Sequence, residues 1–395
     1  MADPTQPAVQ GLSDKKRELL QLLLEEKRRQ KAQSAAEAAQ AAPAAKTIPR
    51  RRQVSPAPVS FAQQRLWFID QLDPGTPAFN IPAAIRVRGR LDRSLLSRAF
   101  DEVIRRHETL RTRFGSEGGT PVQVIEPTAT LDIPVVPLAH LPEAERWRRV
   151  QEAITDECQR SFDLTRCPLV RVTLLELGDD DHVMIVMMHH IIGDVWSVRV
   201  LMRELATLCS AYARGVEPEL PELPIQYADY AIWHREWLAG DNLAREVGFW
   251  KERLQGLPEE LLLPTDRPRP AVQSQRGGLY RVRAGAERTD RLRNLARKEG
   301  VTMFMAVLGV LDALLQRFSG NEKIVVGSNS ANRPRAELES VFGFFLTQVP
   351  FPVDLAGDPT FRDVLGRVRK TALAAYAHQN FPISKLMEAL GVEQG

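Results

Sequence analysis

Six consecutive apolar residues, Val183-Met184-Ile185-Val186-Met187-Met188, lead without a polar interruption to His189 and His190. A run of that kind predicts a strand buried on both faces. Side chains alternate along a strand, so the two histidines point to opposite sides. One is free to serve the core while the other meets a cavity. Beyond the turn, Val198, Leu201, Met202, Leu205, Leu208, Cys209 and Tyr212 fall on one stripe and predict a helix, with Gly215 as its stop. Asp194 stands where it can cap that helix.

The same patterning organises the rest of the chain. Residues 12–30 read as a short helix capped by Ser13, with Leu19, Leu20, Leu23 and Leu24 as a ridge. This ridge either docks on a partner or folds back on its own domain. Residues 31–54 read as a linker, rich in Ala and Gln and carrying Pro43 and Pro49. The main body is expected from Ser55. Within it, helices are expected over 92–107, over 226–254, and as a pair over 287–318. The second of that pair, almost wholly apolar from Met303 to Leu315, is expected to be deeply buried. Lys323–Gly327 and Phe342–Pro352 read as strands. Interleaved strands and helices make the fold α/β (α+β), with neither a dinucleotide-binding glycine pattern nor a phosphate loop.

Composition narrows the classes. A chain of 395 residues suggests two domains or one bilobed unit. The net charge of +3 is small, and Arg50-Arg51-Arg52 reads as a solvated linker end, so nucleic acid is not expected as a partner. No apolar stretch reaches bilayer length, and the N-terminus lacks the form of a secretion signal. A cytoplasmic location without membrane attachment is expected. Cys158, Cys167 and Cys209 show no metal-ligand spacing, so neither a metal nor a disulfide framework is expected.

Met188-His189-His190-Ile191-Ile192-Gly193-Asp194 resembles the His-His-x-x-x-Asp-Gly signature of the condensation domains of nonribosomal peptide synthetases, with Val195 in place of the final glycine. By itself the pair also reads as two hydrogen-bonded core histidines. Further segments in the family's order strengthen the resemblance: Ser60-Phe61-Ala62-Gln63-Gln64-Arg65-Leu66-Trp67, Arg106-His107-Glu108-Thr109-Leu110-Arg111, Tyr227-Ala228-Asp229-Tyr230, Val341-Phe342-Gly343-Phe344-Phe345 and His378-Gln379-Asn380-Phe381-Pro382. It covers residues 55–395.

The resemblance implies two chloramphenicol-acetyltransferase-like lobes in a V, here residues 55–225 and 226–395, the second truncated, with the active site at their junction. It implies an acyltransferase that joins a donor acyl thioester to the amine of an acceptor amino acid. Both would arrive on 4'-phosphopantetheine arms of partner carrier proteins, with no cofactor bound by the chain itself and further synthetase domains adjoining. His190 is the expected catalytic residue. His189, Asp194 and Arg333 are expected to support it, the last two as an ion pair. Gly193, Val195, Ser197, Ser328 and Ser330 are expected to line the substrate channel. An N-terminal helix suggests a donor carried by a separate polypeptide. Val195 either changes little, narrows the pocket, or impairs the domain. The alternatives are a carrier-docking scaffold without activity, an ester-forming domain and an epimerisation domain. Paired histidines disfavour heterocyclisation, where the family has aspartates.

Overall fold

The computed structural model describes residues 47–53, 55–257, 261–268 and 277–391. The helix expected over 12–30 and residues 31–46 of the linker lie outside that range. From Ile48 onward the chain forms one compact unit.

Its first half runs β1 (Ala57–Pro58), α1 (Phe61–Leu72), β2 (Asn80–Arg88), α2 (Arg93–Arg106), β3 (Thr112–Glu117), β4 (Thr120–Ile125), β5 (Val135–Pro137), α3 (Glu143–Gln159), β6 (Val170–Gly178), β7 (Asp181–His189) and α4 (Val195–Ala213). The apolar run becomes β7, and every residue after Asp181 in it is buried. It is an inner strand of the sheet β2-β7-β6-β5, paired antiparallel to β2 and β6 along its length. Helices cover the faces, which is why no polar position interrupts the run. A second sheet, β1-β4-β3, flanks this half.

The second half adds α5 (Tyr227–Trp237), α6 (Gly240–Leu254), α7 (Ala286–Lys298), α8 (Met303–Ser319), β8 (Lys323–Ser330), β9 (Thr347–Asp354), α9 (Phe361–Ala377) and α10 (Ile383–Leu390). β8 and β9 pair antiparallel. Leu238, Trp250, Leu308, Phe351 and Val368 belong to this half's own core. Leu338, Val341, Phe342 and Phe345, however, join the core of the first half. The chain thus crosses the boundary expected between residues 225 and 226.

Four expectations need correction. Arg50 and Arg51 do not end a solvated linker. Ile48 is 3% exposed. Arg50 donates to the carbonyls of Leu223 and Pro224. Arg51 pairs with Asp229 at 2.7 Å and also with Glu108. The carboxylates that hold Arg51 lie far along the chain, where no local pattern reveals them. Residues 226–254, expected to be helical, form two helices rather than a continuous run: Leu238 and Ala239 leave the helical path and Gly240, at φ +53°, opens the second. α8 is buried on one face only: Met305, Leu308 and Gly309 turn inward, while Val307 and Phe318 are 51% and 58% exposed. An all-apolar helix does not say which face is covered. Finally, the strand expected from Phe342 begins at Thr347. Side chains, not a neighbouring strand, bond the carbonyls of Phe342, Gly343 and Phe344 and the N–H groups of Gly343 and Phe345.

Candidate functional site

β7 and the turn after it position two imidazoles differently. His189, 2% exposed, accepts a hydrogen bond at Nδ1 from the Ile191 N–H at 3.1 Å. Phe79 and Phe162 meet its ring edge-on. Burial, and next the neighbouring His190, pull its pKa down to about 4, so it is neutral near pH 7. His190 is half-buried and borders a cavity of about 240 Å³. Its Nδ1 lies 2.8 Å from the Gly193 carbonyl. A carbonyl only accepts, so this bond assigns the proton of the neutral ring to Nδ1. Nε2, the remaining lone pair, has no hydrogen-bond partner among the described residues. The ring is fixed from the side by Phe344, centroid to centroid 4.4 Å.

The turn itself is held from below. Asp194 Oδ1 accepts from the Ser197 N–H at 2.9 Å and caps α4. Its Oδ2 accepts from the Phe345 N–H at 3.2 Å. Arg333 lies 3.4 Å from Asp194, with both side chains almost fully buried. Arg333 also donates to the carbonyls of Leu338 and Val341, and its guanidinium lies 4.1 Å from the Phe345 ring. Burial pulls its pKa down and Asp194 opposes that pull. The Ser197 hydroxyl bonds both backbone groups of Gly343. Thr109 and Tyr227 bond the carbonyls of Phe342 and Phe344. A Cβ on Gly343 would sit 1.9 Å from the Tyr227 ring, so only glycine fits there.

The expected channel residues do not border the cavity. Gly193 is buried, and a Cβ there would lie 3.0 Å from Phe342; its contribution is the carbonyl that orients His190. Ser197, in the first turn of α4, is fully buried. Val195 is the first residue of α4, 61% exposed, and turned away from the cavity. Helix geometry there asks for no glycine, so neither strain nor a narrowed pocket follows from valine. Ser328 and Ser330 lie on the opposite face of β8 from Asn329, which does border the cavity. A period of two makes a one-residue error a change of face.

Several bordering residues lie outside the set the sequence singles out. Phe61, Ala62, Arg65 and Leu66 present one stripe of α1 to the cavity, and Tyr230 and His234 present one of α5. Their spacings of three and four within the motif segments are the available signal. His234 Nε2 donates to the Asn380 carbonyl at 2.8 Å, and burial holds its pKa down to about 4. Among the described residues, no cluster of three or more His, Cys, Asp or Glu side chains could hold a metal ion. No single described helix is long and apolar enough to cross a membrane.

Comparisons with known proteins agree on the family. The Condensation domain family model matches residues 54–395. A linear gramicidin synthase of Brevibacillus parabrevis is 46% identical over 347 residues, 88% of this chain but 4% of that protein. The chain therefore spans a small part of this relative. The crystal structure of the X-domain from teicoplanin biosynthesis is 31% identical, with a TM-score of 0.79 over 89% of this chain and 77% of that one. The first condensation domain of the CDA synthetase, at 22% identity, shares the fold, with a TM-score of 0.70 over 86% and 80% of the two chains. With its histidine strand, its capped turn and a family match over nearly all of the described body, the chain belongs to the condensation-domain family of nonribosomal peptide synthetases, a family of peptide-bond-forming acyltransferases.

Proposed function

We propose that this chain joins a carrier-borne acyl thioester to the amine of a carrier-borne amino acid, with His190 as the group that receives or directs the amine proton. The carrying observation is the imidazole itself. Gly193 holds the proton on Nδ1, and Nε2 is left unpaired on a ring that borders the cavity. The amine nitrogen attacks the thioester carbon, a C–N bond forms and the C–S bond breaks. The proton lost by nitrogen passes through Nε2 to the departing thiolate. Holding two tethered reactants in line lowers the barrier further, by about 7–11 kcal/mol in well-oriented systems. Asp194, Arg333 and His189 act through position: they fix the turn from which His190 projects. The 4'-phosphopantetheine arms belong to the carrier partners, and adjoining synthetase domains fit relatives many times longer than this chain.

A docking scaffold without chemistry is the second reading. It draws on the X-domain neighbour, which was solved in a complex with OxyB from teicoplanin biosynthesis. The test is to mix the domain with an acyl-loaded donor carrier and an aminoacyl-loaded acceptor carrier and follow the acceptor by intact-protein mass. A gain equal to the acyl group supports condensation. Binding of both carriers with no gain favours the scaffold.

A further inference from the structure

Arg65 is the single lining residue of the cavity, among those described, that carries a fixed charge; no acid faces it and the other titratable groups there are the two imidazoles and the Tyr230 phenol. It stands one turn after Phe61 on α1, exposed, and its guanidinium makes no hydrogen bond, ion pair or ring contact with any described residue. The arginines around it are tied differently. Arg333 is buried against carbonyls and Asp194, and Arg235 bonds Val59 and Gln64. Across the cavity, Asn329 of β8 and Gln348 of β9 are register partners, and Ser384 lies on α10. None of these three side chains has a hydrogen bond to a described residue either, although each can donate one. Several elements thus turn unpaired donors toward the same space, with one positive charge among them.

A guanidinium binds carboxylate and phosphate oxygens through a planar fork of donors. Among the described residues that line the cavity, no carboxylate offsets that charge. We propose that Arg65 is a specificity-determining residue that recognises a negatively charged group on the ligand of this cavity, with Asn329, Gln348 and Ser384 hydrogen-bonding the uncharged stretch beside it. This rests on the reading that the cavity takes a carrier-borne thioester. The anion then has two sources: the phosphodiester that joins the arm to its carrier, or a carboxylate on the bound acyl or amino acid.

Binding separates them without requiring turnover. The affinity of the full chain is measured by calorimetry for pantetheine 4'-phosphate against pantetheine, and for S-glutaryl-pantetheine against S-butyryl-pantetheine. Wild type, Arg65→Ala and Arg65→Lys are compared. We expect one charged probe to bind about tenfold or more tighter than its neutral counterpart, Arg65→Ala to abolish that preference, and Arg65→Lys to keep part of it. Preference for the phosphate identifies the arm; preference for the glutaryl probe identifies a substrate carboxylate. Equal affinity for charged and neutral probes in wild type, or an unchanged preference in Arg65→Ala, overturns the proposal. Because Arg65 is exposed and makes no hydrogen bond or ion pair with a described residue, its variants should melt with wild type. Failure of the condensation assay leaves this binding result standing, so the two readings fail separately.

Discussion

At the scale of single residues, the site depends on which atoms are already occupied. His190 differs from His189 by one position, yet one imidazole is buried and the other borders the cavity. Strand alternation makes that difference readable from the sequence. The tautomer is not readable, because it depends on a carbonyl three residues on. Two variants test the residue-level reasoning. Gly343→Ala puts a Cβ where the Tyr227 ring lies and should lower the melting temperature sharply or leave the protein insoluble; normal melting would contradict the close approach. Val195→Gly should leave condensation within about twofold of wild type, the scale of surface changes away from a site, because Val195 points to solvent. A gain of tenfold or more in the carrier assay would show that valine had been obstructing substrate.

At the scale of elements, β7 is legible because burial on both faces leaves a composition no half-exposed strand shares. The segment 342–345 reads as a strand in the sequence because its apolar residues are buried, yet five of its backbone groups bond the side chains of Ser197, Asp194, Thr109 and Tyr227. Periodicity does not distinguish a ladder from side-chain partners at long range. α8 carries a further consequence. Asp312, on its covered face, is fully buried and neither carboxylate oxygen has a hydrogen-bond partner among the described residues. Burial raises its pKa to about 7. A carboxyl raised in the folded state favours folding while protonated, so its cost grows as pH climbs from about 4 and is complete above about 7. Asp312→Asn should therefore raise the melting temperature at pH 8, with the gain shrinking toward pH 4.5. His189 and His234, both held near 4, work in the other direction: their stability is full above about 6.5 and is lost as pH falls toward 4. A gain from Asp312→Asn that does not vary with pH would contradict this assignment.

At the scale of the whole molecule, the residues beside His190 come from distant parts of the chain. α1, the β7 turn, α5, the 342–345 segment and the loop before α10 all reach one cavity. The motif segments mark which stretches meet there. They do not mark which side chains face inward, so Ser197, Ser328 and Ser330 were expected in place of Arg65, Asn329 and Gln348. Asp194 is one of several ties between the two halves, with Ser197 and Thr109, since it caps α4 and holds both Arg333 and Phe345. Breaking a buried pair of this kind costs about 3–5 kcal/mol. Asp194→Ala should lower the melting temperature by several degrees, and an unchanged thermal transition would remove its structural role. The central claim concerns His190. The most direct measurement is the single-turnover rate of acyl transfer between cognate loaded carriers, wild type against His190→Ala, with both proteins shown to melt alike. A fall of about a hundredfold or more is expected for loss of a proton-transfer group; a mutant rate equal to wild type would contradict the role assigned to its imidazole.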